Sequence, residues 1–248
     1  MLHFGDWWGE RKYNWGNLEY DLVQGMFLTY AHTGDELAFE LGQIAALHQM
    51  NIDIIRQSSN TKEVGYQHEH CMGHVGNYWS KNPFKDGGIY HKSGNLGHVF
   101  NSGIVSYYYF TGDPMALETA IRMSDYYIGA KSSILGSFNN FNNWNFDFER
   151  FAGWPLLMFV STYEGTGDPY YLNAAKLIME RVFENVSAGG AWLSQVDRCA
   201  HPIPCIGAIT FQSGVLLTGI LEYYRVTHDE RVPTLVVNAV KDIIKKNW

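Results

Sequence analysis

A four-residue motif recurs along the chain and constrains its fold more than any other feature. It reads Thr33-Gly34-Asp35-Glu36, Thr111-Gly112-Asp113-Pro114, Thr166-Gly167-Asp168-Pro169 and, in altered form, Thr227-His228-Asp229-Glu230. An apolar, aromatic-rich stretch precedes each copy (residues 18–31, 99–110, 154–165 and 215–226), and an amphipathic stretch follows (37–51, 115–130, 170–186 and 232–248). Glycine just past a helix end adopts the left-handed conformation that closes the last turn. The aspartate then offers an N-cap oxygen to the next helix, and proline fits the first helical position, where no amide hydrogen is needed. Each copy therefore predicts a tight link between two antiparallel helices.

Apolar residues in the following stretches recur at helical spacing, as at Leu235, Val236, Val240, Ile243 and Ile244 or Leu172, Ala175 and Ile178. The preceding stretches are apolar almost all round, as buried inner helices are. Stacked helical hairpins build solenoids or closed toroids. The expectation is an all-α fold: an incomplete α/α toroid of about four helical hairpins, one domain over residues 1–248, cut from a larger multidomain architecture. The links within hairpins are short, whereas those between them are long (52–97, 131–151 and 187–211). In an α/α ring these long links share the face at the N-terminal ends of the inner helices. Long irregular loops tend to carry function, so that face is the expected site.

Composition narrows the ligand. Aromatic residues make up 15% of the chain and charged residues 17%, with a net charge of −7. Aromatic-lined grooves suit sugar faces, although the aromatics inside helices read as core. A nucleic-acid partner calls for a basic stripe, and only Arg11-Lys12 and Lys245-Lys246 pair basic residues side by side, so none is expected. No apolar run is long enough to span a bilayer, and the N-terminus has no secretory-signal pattern. The odd cysteine count (Cys71, Cys199, Cys205) gives no disulfide framework, and a Cys199–Cys205 pair and free thiols stay open. No nucleotide-binding glycine pattern occurs, so no nucleotide cofactor is implied.

Four segments converge on the loop face. Residues 5–21 mix Trp7, Trp8 and Trp15 with Glu10, Arg11, Asn14, Asn17 and Asp21, too many polar groups for plain core. Residues 65–98 hold five of the ten histidines (His68, His70, His74, His91, His98), together with Tyr66, Tyr78 and Trp79. Histidine is the usual proton-transfer group near neutral pH. A divalent metal on His68, His70 and His74 is the competing reading, although Gly73 breaks a helical His70/His74 pair. The third segment interleaves five asparagines with aromatics over residues 138–150 and ends at Glu149 and Arg150, which enter the third inner helix. The fourth, 192–212, offers Gln212.

Asp6-Trp7-Trp8-Gly9-Glu10-Arg11, Asn14-Trp15-Gly16-Asn17-x-Glu19-Tyr20-Asp21, the Tyr66/His68/His74 loop and Gly97-His98 together resemble the C-terminal toroid of the exo-acting rhamnogalacturonan lyase family. The resemblance runs over nearly the whole chain. It implies a rhamnogalacturonan-like substrate, a secreted or periplasmic setting, and β-domains before the toroid that this chain lacks. It also implies β-elimination next to a uronate: Arg11 or Arg150 neutralises the carboxylate, His68, His74 or His98 is the base, and Tyr78 or another histidine is the acid. Trp7, Trp8 and Trp79 are then stacking walls, and Glu10, Asn14, Asn17, Asp21, Tyr66 and Glu149 bind substrate. A glycoside hydrolase on the same scaffold is the alternative. It needs two carboxyl groups, available from Glu10, Asp21, Glu69, Asp147 and Glu149. A non-catalytic sugar-binding remnant is the third reading.

Overall fold

A computed structural model describes residues 20–67, 96–129, 148–196 and 205–247. Eight helices form four hairpins in this region: α1 (Leu22–Thr33) with α2 (Glu36–His48), α3 (Ser102–Thr111) with α4 (Pro114–Ile128), α5 (Phe148–Thr166) with α6 (Pro169–Asn185), and α7 (Thr210–Thr227) with α8 (Val232–Asn247). The last long link adds an antiparallel ribbon, β1 (Ser194–Val196) with β2 (Cys205–Gly207). The partner proposed for Cys205, Cys199, lies outside the described residues.

The repeated motif works as its chemistry requires. Gly34, Gly112 and Gly167 take φ of 70°, 71° and 70°. Asp35, Asp113 and Asp168 cap the next helix by accepting from the backbone N–H of Leu37, Met115 and Tyr170. The threonine has a double role. Its hydroxyl donates to the carbonyl one turn back, as Thr33 does to Thr29, and accepts from the aspartate's backbone N–H. In the fourth copy His228 occupies the glycine position at φ 53°, and Asp229 caps through Arg231.

Successive inner helices pack side by side, α1 on α3, α3 on α5 and α5 on α7, while the outer helices lie behind them. The toroid is thus an arc. Its core fills the space between the two layers with Phe27, Ile104, Tyr127, Leu156, Phe159, Ile178 and Ile220, all buried; other helical aromatics, Tyr109, Phe110, Tyr170 and Phe211, are exposed, so the reading of helical aromatics as core holds only in part. A buried polar chain ties three helices together: Asn101 Nδ2 donates to Thr162 Oγ1 at 2.9 Å, and Thr162 lies 2.8 Å from Ser124 Oγ. α5 and α7 approach closely because both are glycines at their crossing; a Cβ on Gly153 would overlap the Leu216 backbone, and one on Gly219 the Gly153 carbonyl. α5 starts at Phe148, with Glu149 and Arg150 in its first turn as expected. Pro155 suits a first helical position, yet the helix runs through it and forgoes the one hydrogen bond that proline cannot donate.

Candidate functional site

The N-terminal ends of the four inner helices open on one face, and the site is built there. Before α1, Tyr20 and Asp21 are both left-handed, at φ 53° and 59°. Two adjacent non-glycine residues in that region store backbone strain, and the contacts of both side chains hold it. Asp21 Oδ1 accepts from Gln24 N at 3.2 Å, capping α1. Both carboxylate oxygens also accept from Gly103 N, in the first turn of α3, at 3.2 and 3.1 Å. One carboxylate therefore faces the positive ends of two helices. Burial pushes the Asp21 carboxyl up to about 6, against the pull of the Gly103, Gln24 and Ser102 backbone N–H groups.

The Tyr20 ring is stacked against Trp154 in α5, with centroids 5.6 Å apart and planes 6° apart. It also stacks against His98 at 6.1 Å and 19°. His98 is buried in the short 3-10 turn Leu96–His98 that leads into α3. Its Nε2 lies 3.4 Å from Arg150 Nη1 in the first turn of α5. Arginine only donates, so this hydrogen bond places the imidazole proton on Nδ1. Glu149 is fully buried and accepts from Ser213 Oγ at 3.5 Å, next to buried Gln212 in the first turn of α7.

A cavity of about 610 Å³ runs along the inner helices. Tyr20, Asp21, Ser102 and Trp154 line it toward the loop face, and Glu164, Glu222 and Arg225 toward the opposite end. Ser102 and Ser161 lie 2.7 Å apart on its wall. Aromatic surface, hydroxyls and a protonatable carboxyl in one lumen form a setting for a sugar ring.

Of the residues expected from sequence, Asp21, His98, Glu149 and Arg150 do lie at the inner-helix starts. Tyr66 does not line the lumen; it is buried and packs edge-on against Tyr126 of α4, with centroids 5.7 Å apart. Trp7, Trp8, Glu10, Arg11, Asn14, Asn17, His68, His70, His74, Tyr78 and Trp79 lie outside the described residues, and with them the suggested metal set. Among the described residues no group of three or more His, Cys, Asp or Glu is placed to hold a metal ion, and no helix is long and apolar enough to cross a membrane. Sequence reasoning passed over Tyr20 and Trp154. Trp154 sits one helical turn after Arg150, a spacing that puts both on one face of α5.

The family model described as beta-L-arabinofuranosidase, GH127 catalytic domain, matches residues 4–247. Among solved structures the chain is similar to an unsaturated glucuronyl hydrolase from Streptococcus agalactiae, with 15% identity and a TM-score of 0.50, over 88% of this chain and 48% of that one. It is also similar to a UGL variant with dGlcA-Glc-Rha-Glc, at 14% identity and a TM-score of 0.56, over 91% of this chain and 60% of that one. The chain thus spans about half to three-fifths of the length of these structures, and at such identities they show the fold alone. No curated protein matches the chain.

These findings correct the lyase reading. The family match is to a glycoside hydrolase domain, not a rhamnogalacturonan lyase, and the expected β-elimination and rhamnogalacturonan-like substrate fall with it. The physical reason is that the tryptophan, amide, arginine and histidine residues of the segments that carried the resemblance are groups that sugar sites of different chemistry share, so they do not encode one reaction.

Proposed function

We propose, from the premise that this chain belongs to the family of the beta-L-arabinofuranosidase GH127 catalytic domain, that it hydrolyses a terminal L-arabinofuranosidic bond at the loop-face mouth of its lumen. The observation that carries this reading, within the family, is the placement of Asp21 beside Tyr20 and Trp154 on one cavity wall. The aromatic pair offers apolar surface to one face of a sugar ring, and Ser102 and Ser161 offer hydroxyls to its edge.

Hydrolysis breaks the bond between the anomeric carbon and the leaving oxygen, adds water to that carbon, and gives the leaving oxygen a proton. Asp21 is the proton donor in this account. Burial raises its carboxyl to about 6, so a useful fraction is protonated in mildly acidic to neutral solution. For the second carboxyl the sequence offers Glu10, Glu69 and Asp147, which lie outside the described residues. Glu149 is too deeply buried to reach substrate and holds the starts of α5 and α7 together through Ser213. His98, held by Arg150, stacks on the Tyr20 ring.

The test is release of L-arabinose from arabinofuranosides by the protein and by Asp21→Asn. Release that falls at least 100-fold in the variant, with its helical content unchanged, supports the assignment; equal release from both removes Asp21 from the chemistry.

A further inference from the structure

Residues 98–103, between the short turn Leu96–His98 and the first turn of α3, carry many of the contacts of the site. His98 stacks on Tyr20. The Phe100 ring packs edge-on against Trp154, with centroids 5.6 Å apart. Ser102 lines the lumen, and Gly103 N donates to Asp21. Phe100 itself is buried and stands in neither helix nor strand, so its backbone N–H and C=O need partners from elsewhere. Two glutamine side chains provide them. Gln49 Nε2 donates to Phe100 O at 2.9 Å, and Phe100 N donates to Gln67 Oε1 at 3.2 Å.

Both glutamines are fully buried, and neither lines the lumen. Gln49 opens a π turn, Gln49–Asp53, at the end of α2. Ile54 N closes it by donating to Gln49 O at 3.1 Å, and π turns concentrate at functional sites. Ile54 then forms an antiparallel bridge with Gln67, and Ile55 N donates to Tyr66 O at 2.9 Å. The turn and the bridge bring the two amides to one residue. Gln49 Oε1 and Gln67 Nε2 have no hydrogen-bond partner among the described residues. Burying an unpaired amide atom is unfavourable, and an apolar side chain of similar length would fill the space without it. What the amides add is a fixed place for Phe100.

We infer that Gln49 and Gln67 are positioning residues of the site: by clamping Phe100 through its N–H and its C=O, they hold residues 98–103 where His98 meets Tyr20, Phe100 meets Trp154 and Gly103 meets Asp21. This rests on the reading of that aromatic wall and carboxyl as the sugar site. Neither glutamine touches substrate; both act through Phe100. A misplacement of about 1 Å in a segment away from the chemistry lowers turnover on the order of 100-fold.

Native-state hydrogen exchange of the 248-residue chain, read amide by amide by NMR, tests this beside kinetics on an arabinofuranoside. Methionine is close to glutamine in length, so Gln49→Met and Gln67→Met are expected to fold. In both, the Gly103 amide should exchange at least roughly 10-fold faster than in the parent while that of Ile178 in α6 keeps its rate, because the loss is local. Gln67→Glu should return Gly103 toward the parent rate, since a carboxyl oxygen, charged or neutral, still accepts from Phe100 N–H. In the methionine variants KM should rise about 10-fold as the wall is misplaced; fewer folded molecules alone would lower kcat and leave KM unchanged. Gly103 exchange equal to the parent's overturns the proposal. So does equal acceleration of Gly103 and Ile178, or local acceleration with KM unchanged. A parent that releases no arabinose removes the substrate reading instead, and the exchange comparison then decides the clamp by itself.

Discussion

Asp21 accepts the backbone N–H of Gly103 through both carboxylate oxygens, at 3.2 and 3.1 Å, and so joins the starts of two neighbouring inner helices. The approach depends on residue 103 having no side chain, because a Cβ there would overlap Asp21 Oδ1 and the Gln24 backbone nitrogen. Gly103→Ala therefore separates α1 from α3 at the mouth of the lumen. The expected cost is about 2 kcal/mol, in the range of overpacked core positions, read as a lower thermal midpoint; an unchanged midpoint would show that the two helices shift apart freely.

The same carboxyl makes stability depend on pH. Its folded value of about 6 lies above the ordinary 3.8, so the folded chain binds this proton more tightly than the unfolded chain does. The stability it contributes is complete below about pH 4 and is lost as pH rises through about 6. In chemical denaturation, the difference in stability between the parent and Asp21→Asn should change across pH 4–6 in that direction; a pH-independent difference contradicts it.

The stacked pair at the lumen mouth gives a prediction on binding. Trp154→Ala or Tyr20→Ala removes the apolar wall while leaving Asp21 capped by Gln24 and Gly103. Each should lower kcat/KM on an arabinofuranoside by roughly 10- to 100-fold, equivalent to about 1.4–2.7 kcal/mol, with KM taking most of the change. Loss confined to kcat would place the pair in the chemistry instead.

His228 stands where three copies of the motif have glycine, at φ 53°. His228→Gly relieves that conformation and is expected to stabilise the chain by about 0.5–1 kcal/mol, less whatever its edge-on contact with Tyr224, at 5.9 Å, contributes. Thermal unfolding at equal scan rate measures it.

The hairpins were legible because their signal is local: glycine, aspartate and proline each act within a few residues of where they stand. Thr33 and its counterparts went unread, since their role is a hydroxyl shared between a carbonyl behind and an N–H ahead. At the site, Asp21, His98, Glu149 and Arg150 were visible as polar residues at the inner-helix starts. Tyr20 and Trp154 were not, because their stacking joins segments more than 130 residues apart and leaves no periodic trace. Tyr66 was given to the substrate because it stands beside the histidine loop, and only the packing of α4 shows it to be buried. The reaction class was misread because residues 6–21, 66–74 and 97–98 are of types that sugar sites of different chemistry share.

The most direct test of the central claim is the product formed when the purified chain is incubated with an oligosaccharide carrying terminal L-arabinofuranosyl groups. The account predicts free L-arabinose, with oxygen from labelled water at its anomeric carbon and no ultraviolet absorbance from an unsaturated sugar. An unsaturated product, or no arabinose from a chain whose helical content matches this fold, would contradict it.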